Sequence, residues 1–468
     1  MTSSETHFSK AFAATDLCRD IETLFPELVT IRHTLHQHPE KGTQEFETDR
    51  IITGCLDAWG IPYRMIADTG ILASLTGEGS DPVGNTVGLR ADIDALPIEE
   101  DPSHACCSLN SGMMHACGHD AHTTIALGTA RLLQLHRSEW SGTVKFFFQP
   151  AEETVGGAQR MVEQGCMKAP DVDYVTGLHV MPQFHTGELE MKYGKLNAAS
   201  DEVLIDLHGR SCHGAYPEGG VDTVVMAATL ISSLQTFVSR TISPLNSAVL
   251  SFGEIQGGTA CNIVCDHVRI HGTLRTLDAA TRSQAKEYIR NQATSIAAAY
   301  GGTADVLFHS GYDALINDNA LVDAAAECAG EILGKEHINW KEFPSLGVED
   351  FSFFQEAAKK GGVFYHLGCT APETPVGAPV HTAGFLLDDD CLKIGVAMQY
   401  TLTRKLLKNS FYQIFIIRRN RHESLHQRRR RRIDRIHILG VHQPRKPGAW
   451  CRGRTDEARG HGRSAGSY

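Results

Sequence analysis

Thr143-Val144-Lys145-Phe146-Phe147-Phe148-Gln149-Pro150-Ala151-Glu152-Glu153 is an apolar run that ends in a proline turn and two adjacent carboxylates. Its β-branched and aromatic residues predict a buried strand. Two further runs have the same shape. Thr86-Val87-Gly88-Leu89-Arg90 leads into Ala91-Asp92-Ile93-Asp94, and Tyr174-Val175-Thr176-Gly177-Leu178 leads into His179. Helical periodicity fills 121–136 and 156–165 between them. Strand, helix, strand in alternation predicts an α/β fold around a largely parallel sheet. Such sheets bind ligands beyond the carboxyl ends of their strands, where each polar residue of chemical interest falls.

The stretch Met114-His115-Ala116-Cys117-Gly118-His119-Asp120-Ala121-His122 leads into the helical segment at 121–136, and Asp120 is placed to cap it. A Cys-x-His pair alone is more often a polar turn than a ligand pair. Here Cys117 and His119 join Glu153, His179 and His381, the last within Pro379-Val380-His381-Thr382-Ala383-Gly384-Phe385. Five donors from four segments suit one or two divalent metal ions. A cysteine in the set favours zinc or another late transition metal, and a thiolate can bridge two ions. Of the adjacent carboxylates, one can bind metal while the other acts as general base, because neighbours in extended chain point different ways. An acidic pair at a helix N-terminus is the plainer alternative. Asp94 is placed to orient a ligating histidine, or to close a turn on its own backbone. His213, taken singly, reads as a surface histidine.

Residues 16–38 and 44–59 read as helices, and the histidines at 33–38 as solvated side chains at a helix end. From 199 to 311 the pattern becomes strand, helix, two strands, helix, strand, a ferredoxin-like α+β unit that closes by itself. It reads as an insertion, leaving 1–198 and 312–408 as one discontinuous domain. Gln256-Gly257-Gly258-Thr259 reads as a hairpin turn; no Lys-Ser/Thr follows to make a phosphate loop.

The chain has 44 Lys+Arg and 55 Asp+Glu; residues 409–468 hold 15 and 4 of these, leaving 29 and 51 on the first 408. The acidic body argues against nucleic acid as a partner. The basic tail, with five arginines at 428–432, is the one stretch suited to it, and its lost periodicity predicts disorder. Thirteen scattered cysteines form no disulfide framework, which points to a reducing, cytoplasmic setting. We expect no secretory signal and no membrane span.

Arg90-Ala-Asp-Ile-Asp-Ala-Leu-Pro97, Met114-His-Ala-Cys-Gly-His-Asp120, Phe148-Gln-Pro-Ala-Glu-Glu153, Gly177-Leu-His179 and Glu349-Asp-Phe-Ser352 occur in this order. Together they resemble the amidohydrolase branch of the aminoacylase/carboxypeptidase metallopeptidase superfamily, which includes hippurate hydrolases, auxin-conjugate amidohydrolases and N-acyl-amino-acid deacylases. The resemblance covers about residues 16–405. It implies a zinc-peptidase-like catalytic domain, with 199–311 as a lid that carries a dimer or tetramer contact. It implies one or two Mn2+ or Zn2+ ions, or Co2+ or Ni2+, on Cys117, His119, Glu153, His179 and His381. Glu152 would be the base, and His213 would stabilise the oxyanion, in some relatives across a dimer. Asn262 and Arg275 would meet the substrate. Here Ser211-Cys212 precede the lid histidine where the family usually has glycines. The expected reaction is hydrolysis of the amide bond of N-acyl amino acids. A dipeptidase or carboxypeptidase using the same site is the first rival, and a catalytically silent binding protein the second.

Overall fold

The computed structural model describes residues 7–80, 84–243 and 245–408. The predicted disordered tail at 409–468 lies outside the described residues. An eight-stranded sheet forms the frame. From one edge its strands are Tyr63–Ile66, Gly70–Thr76, Thr143–Gln149, Thr86–Asp92, Tyr174–His185, Gly362–Thr370, Leu189–Met191 and Ile338–Trp340. The four central strands, Thr143–Gln149 to Gly362–Thr370, pair in parallel. Both faces of this sheet are covered, which is why its strands read as nearly unbroken apolar runs. Phe146 and Phe148 join the core on one face, under the helices Asp16–Gln37, His119–Leu135 and Cys391–Leu406. Phe147 points the other way and stacks on Phe354 at 4.9 Å, beside the short helices Gly157–Glu163 and Phe351–Ala357. This is the two-residue alternation of a strand buried on both sides.

A second sheet, four-stranded and antiparallel, runs in the order Thr303–Ser310, Ala199–His208, His267–Thr276, Ala248–Gly257. With the helices Thr223–Leu234 and Ala279–Ala299 it has the ferredoxin-like arrangement. Every second residue of Ala199–His208 faces those helices: Val203, Ile205 and Leu207 are buried there with Ile270, Leu230 and Ile289. The other face presents Ser200, Glu202, Thr273, Arg275 and His309, and these line the cavity described below. Among the described residues no helix is long and apolar enough to cross a membrane.

Three local readings need correction. Asp120 does not cap the helix His119–Leu135; Gly118 occupies that position with φ 84°, and Asp120 instead accepts hydrogen bonds from Arg32 Nε (2.9 Å) and His36 Nδ1 (2.8 Å). The histidines at 33–38 are not simply solvated: His36 is buried, with its other nitrogen 3.0 Å from Glu100. Periodicity shows which face of a helix is apolar but not what covers the polar one. Finally, Gly257 and Gly258 do not form a tight hairpin, since the next strand begins at His267.

Candidate metal centre

The predicted donors lie together, though His179 stands in the middle of its strand and not at the end. Cys117 precedes the helix His119–Leu135, Glu152 and Glu153 follow the strand Thr143–Gln149, and His179 lies within Tyr174–His185. Cys117 Sγ is 3.2 Å from His179 Nε2 and 3.3 Å from His381 Nε2. His381 Nε2 is 3.0 Å from Glu153 Oε1. Two donor groups result, Cys117–His119–His179 and Cys117–Glu153–His381, each with its ligand atoms within 4.8 Å of one another. Cys117 belongs to both. The first group is buried, and His381 keeps the second open.

The donor set fits a metal pair on its own chemistry. His119 Nδ1–H donates to the Asp94 main-chain oxygen at 2.9 Å, and His179 Nδ1–H to that of Val180 at 2.7 Å. Both rings thus turn the Nε2 lone pair inward, the arrangement by which outer hydrogen bonds orient ligating histidines. His119 Nε2 is buried without a hydrogen-bond partner, which an ion would supply. Burial opposes charge on His119, but Asp92, Asp94 and Glu153 push it up to about 10. The position therefore favours a cation, either a proton or an ion in its place. Burial, with Glu153 and Glu152 close by, raises the Cys117 thiol well above its ordinary range, so binding a metal there releases a proton.

Beneath Glu152 lies a network that single motifs do not reveal. Arg90 is fully buried and donates to Asp92 (2.7 Å), Glu349 (2.8 Å), Asp350 (3.0 Å) and Gln149 (2.8 Å). One guanidinium thus ties together Arg90-Ala-Asp92, Phe148-Gln149 and Glu349-Asp350. Asp92 also accepts from His122 Nδ1 at 2.6 Å. Burial and the carboxylates of Glu349 and Asp350 raise Glu152 well above the usual range. A proton acceptor with that affinity suits general-base work near neutral pH. The turn carrying it is held at three successive residues. Glu45 accepts from Ala151 N–H (2.8 Å), Tyr312 O–H donates to the Glu152 carbonyl (2.8 Å), and Asp94 accepts from Glu153 N–H (3.0 Å).

Cys117, Glu152, Glu153, His179, His381 and Arg275 line one cavity of about 730 Å3 between the two sheets. The Arg275 side chain makes no hydrogen bond or ion pair to any described residue. His213 and Asn262 do not line this cavity. Both are exposed, and they adjoin one another, Gly214 N–H donating to the Asn262 carbonyl at 2.7 Å.

Residues 88–405 match the model of peptidase family M20/M25/M40. This chain belongs to that family. The M20-family assignment makes it a metal-dependent amidohydrolase. It is similar to the N-acetyl-L-cysteine deacetylase of Bacillus subtilis, with 40% identity over 72% of this chain and 79% of the relative. It is 34% identical to the hippurate hydrolase of Campylobacter jejuni, over 84% of this chain and all of the relative. A solved dinuclear metal-binding M20 peptidase from Bacillus subtilis superposes with a TM-score of 0.70 at 32% identity, covering 82% of this chain and 99% of that one.

Proposed function

We propose that this M20-family enzyme hydrolyses the amide bond of N-acyl amino acids, releasing a carboxylic acid and an amino acid. The observation that carries the proposal is Cys117 shared by two donor groups directly beside Glu152, opposite an unpaired Arg275. His119 and His179 would hold one ion, Glu153 and His381 the other, with Cys117 between them. When bound, the metal pair supplies Lewis acidity, polarising a carbonyl and acidifying a water. Glu152 takes the proton of the attacking water at its carboxylate and returns it to the leaving nitrogen. Arg275 anchors the carboxylate of the amino-acid half. Residues 1–198 and 312–408 act as the catalytic body and 199–311 as a lid. His213 and Asn262 would complete the site from a closed lid or from a second subunit.

The deacetylase and hippurate hydrolase relatives support this substrate class. The experiment is hydrolysis of hippurate and a panel of N-acetyl amino acids after chelation and re-addition of single metals. Loss of turnover with chelator and recovery with manganese, zinc, cobalt or nickel is the expected result. A folded, metal-loaded protein that turns over none of them sinks the proposal. One observation favours a dipeptidase instead: Glu202 lines the same cavity and could pair with a free α-amino group. Side-by-side turnover of N-acetylalanine and a dipeptide decides between the two.

A further inference from the structure

His366 stands in the cavity wall beside the donor groups but belongs to none of them. On the strand Gly362–Thr370 it pairs in register with His179 on one side and Glu190 on the other. Directly paired residues point to the same face with Cβ atoms roughly 5 Å apart. His366 therefore sits one strand spacing from a residue proposed as a metal ligand, within reach of a substrate held there.

Its orientation is fixed from behind. His366 Nδ1 lies 2.6 Å from Glu190 Oε2, and Lys341 Nζ donates to the same carboxylate at 3.0 Å. Burial opposes ionisation of Glu190, but these two hydrogen bonds hold it below the usual carboxylate range. Glu190 is thus the acceptor, Nδ1 carries the hydrogen, and Nε2 is left over. No described residue bonds Nε2. Yet it is not among the buried atoms that lack a partner, so it keeps access to the cavity although the ring is only 5% exposed. Phe364 and Met181, two residues along their strands from His366 and His179, make the neighbouring wall apolar. A polar atom oriented by a buried ion pair, with apolar side chains beside it, is how a cavity selects one functional group.

We propose that His366 is a specificity-determining residue, its Nε2 forming a hydrogen bond to a hydroxyl group on the substrate. The inference rests on the amide-hydrolysis reading of the same cavity. A hydroxyl satisfies Nε2 in either state of the ring, donating to the neutral form and accepting from the protonated one. An alkyl group in its place leaves Nε2 desolvated and unpaired, which costs about 1–3 kcal/mol, or roughly ten- to a hundredfold in kcat/KM.

The test uses two matched pairs of near-equal shape: N-glycoloylalanine against N-propanoylalanine, and N-acetylserine against N-acetyl-2-aminobutyrate. One places the hydroxyl on the acyl half and the other on the amino-acid half. The metal-loaded wild type is expected to prefer the hydroxyl member of one pair by at least about tenfold. His366→Phe should abolish that preference, with kcat/KM falling further on the hydroxyl member than on the alkyl member, a split that general damage to the fold does not produce. His366→Gln, which can still bond both Glu190 and a hydroxyl, should retain part of it and serves if the Phe variant does not fold. No preference in wild type, or the same preference in wild type and both variants, overturns the subsite alone. No turnover of any of the four by wild type overturns the hydrolase reading and the subsite with it.

Discussion

Replacing Glu45 with alanine should slow the enzyme without moving any residue of the cavity in sequence. Glu45 is fully buried and lies 106 residues before Ala151, whose N–H it accepts at 2.8 Å; its second oxygen accepts from the Thr69 hydroxyl. Ala151 has φ 55°, the left-handed region that a non-glycine residue enters at a cost of about 1–3 kcal/mol. Leaving its N–H buried and unpaired costs about 1–3 kcal/mol more. The two are of the same size, so the Glu45 bond is large enough to decide whether the strained turn persists. Without it the turn relaxes towards an ordinary conformation, and Glu152 and Glu153 move with it. A misplacement of about 1 Å at a reacting group costs on the order of a hundredfold in rate. We therefore expect Glu45→Ala to lower kcat by about that factor with little change in KM. Glu45→Gln, whose amide oxygen still accepts from Ala151 N–H, should stay within about tenfold of wild type. Steady-state hydrolysis at saturating metal, with bound metal quantified, reads this directly. A Glu45→Ala enzyme that is less stable but keeps its kcat would refute the reasoning, since the turn would then be held without the Glu45 bond, by contacts such as those of Tyr312 and Asp94.

Glu152→Gln should retain metal and fold while kcat falls by about two to four orders of magnitude, as expected for loss of a general base; near-normal turnover in a metal-loaded variant excludes the role. His36 should give stability a pH dependence. Burial opposes its charge, but Asp120 and Glu100 push it up to about 9 from an ordinary 6.5. Its contribution, on the order of 3 kcal/mol, is complete below pH 6.5 and lost as pH rises through about 9. Urea unfolding across that interval should show the decline and His36→Gln should flatten it; identical slopes would refute the assignment.

The strand-end donors were legible because their chemistry is conspicuous and their placement follows from the fold class. Glu152–Glu153, Asp92–Asp94 and His179 each end an apolar run, and parallel strands bring such ends together without any knowledge of register. What supports them was not legible. Arg90 is the one cation in an otherwise buried strand, a sign that acidic partners exist, but Glu349 and Asp350 lie about 260 residues away. His36 follows the helical period of Asp16–Gln37, yet that period does not show that Asp120 and Glu100 close over it. Glu45 begins a helix like many other acidic residues, and only the left-handed Ala151 gives it a further task.

Register is the missing quantity in each case, and here packing between glycine and phenylalanine accounts for part of it. A Cβ on Gly88 would lie 2.5 Å from the Phe147 ring, and one on Gly177 would lie 2.8 Å from the Phe364 ring. Each glycine is a gap that an aromatic ring on the adjacent strand fills. Sliding either strand by two residues would empty the gap and drive the ring into a side chain, so both pairs resist slippage. Gly88 and Phe147 hold Thr86–Asp92 against Thr143–Gln149, which sets Asp92 opposite Gln149, brings both onto Arg90 and puts Gln149 on Asp350. Gly177 and Phe364 hold Tyr174–His185 against Gly362–Thr370, which sets His366 opposite His179. Residues remote from the chemistry in composition, two glycines and two phenylalanines, thereby determine which polar side chains become neighbours at the strand ends.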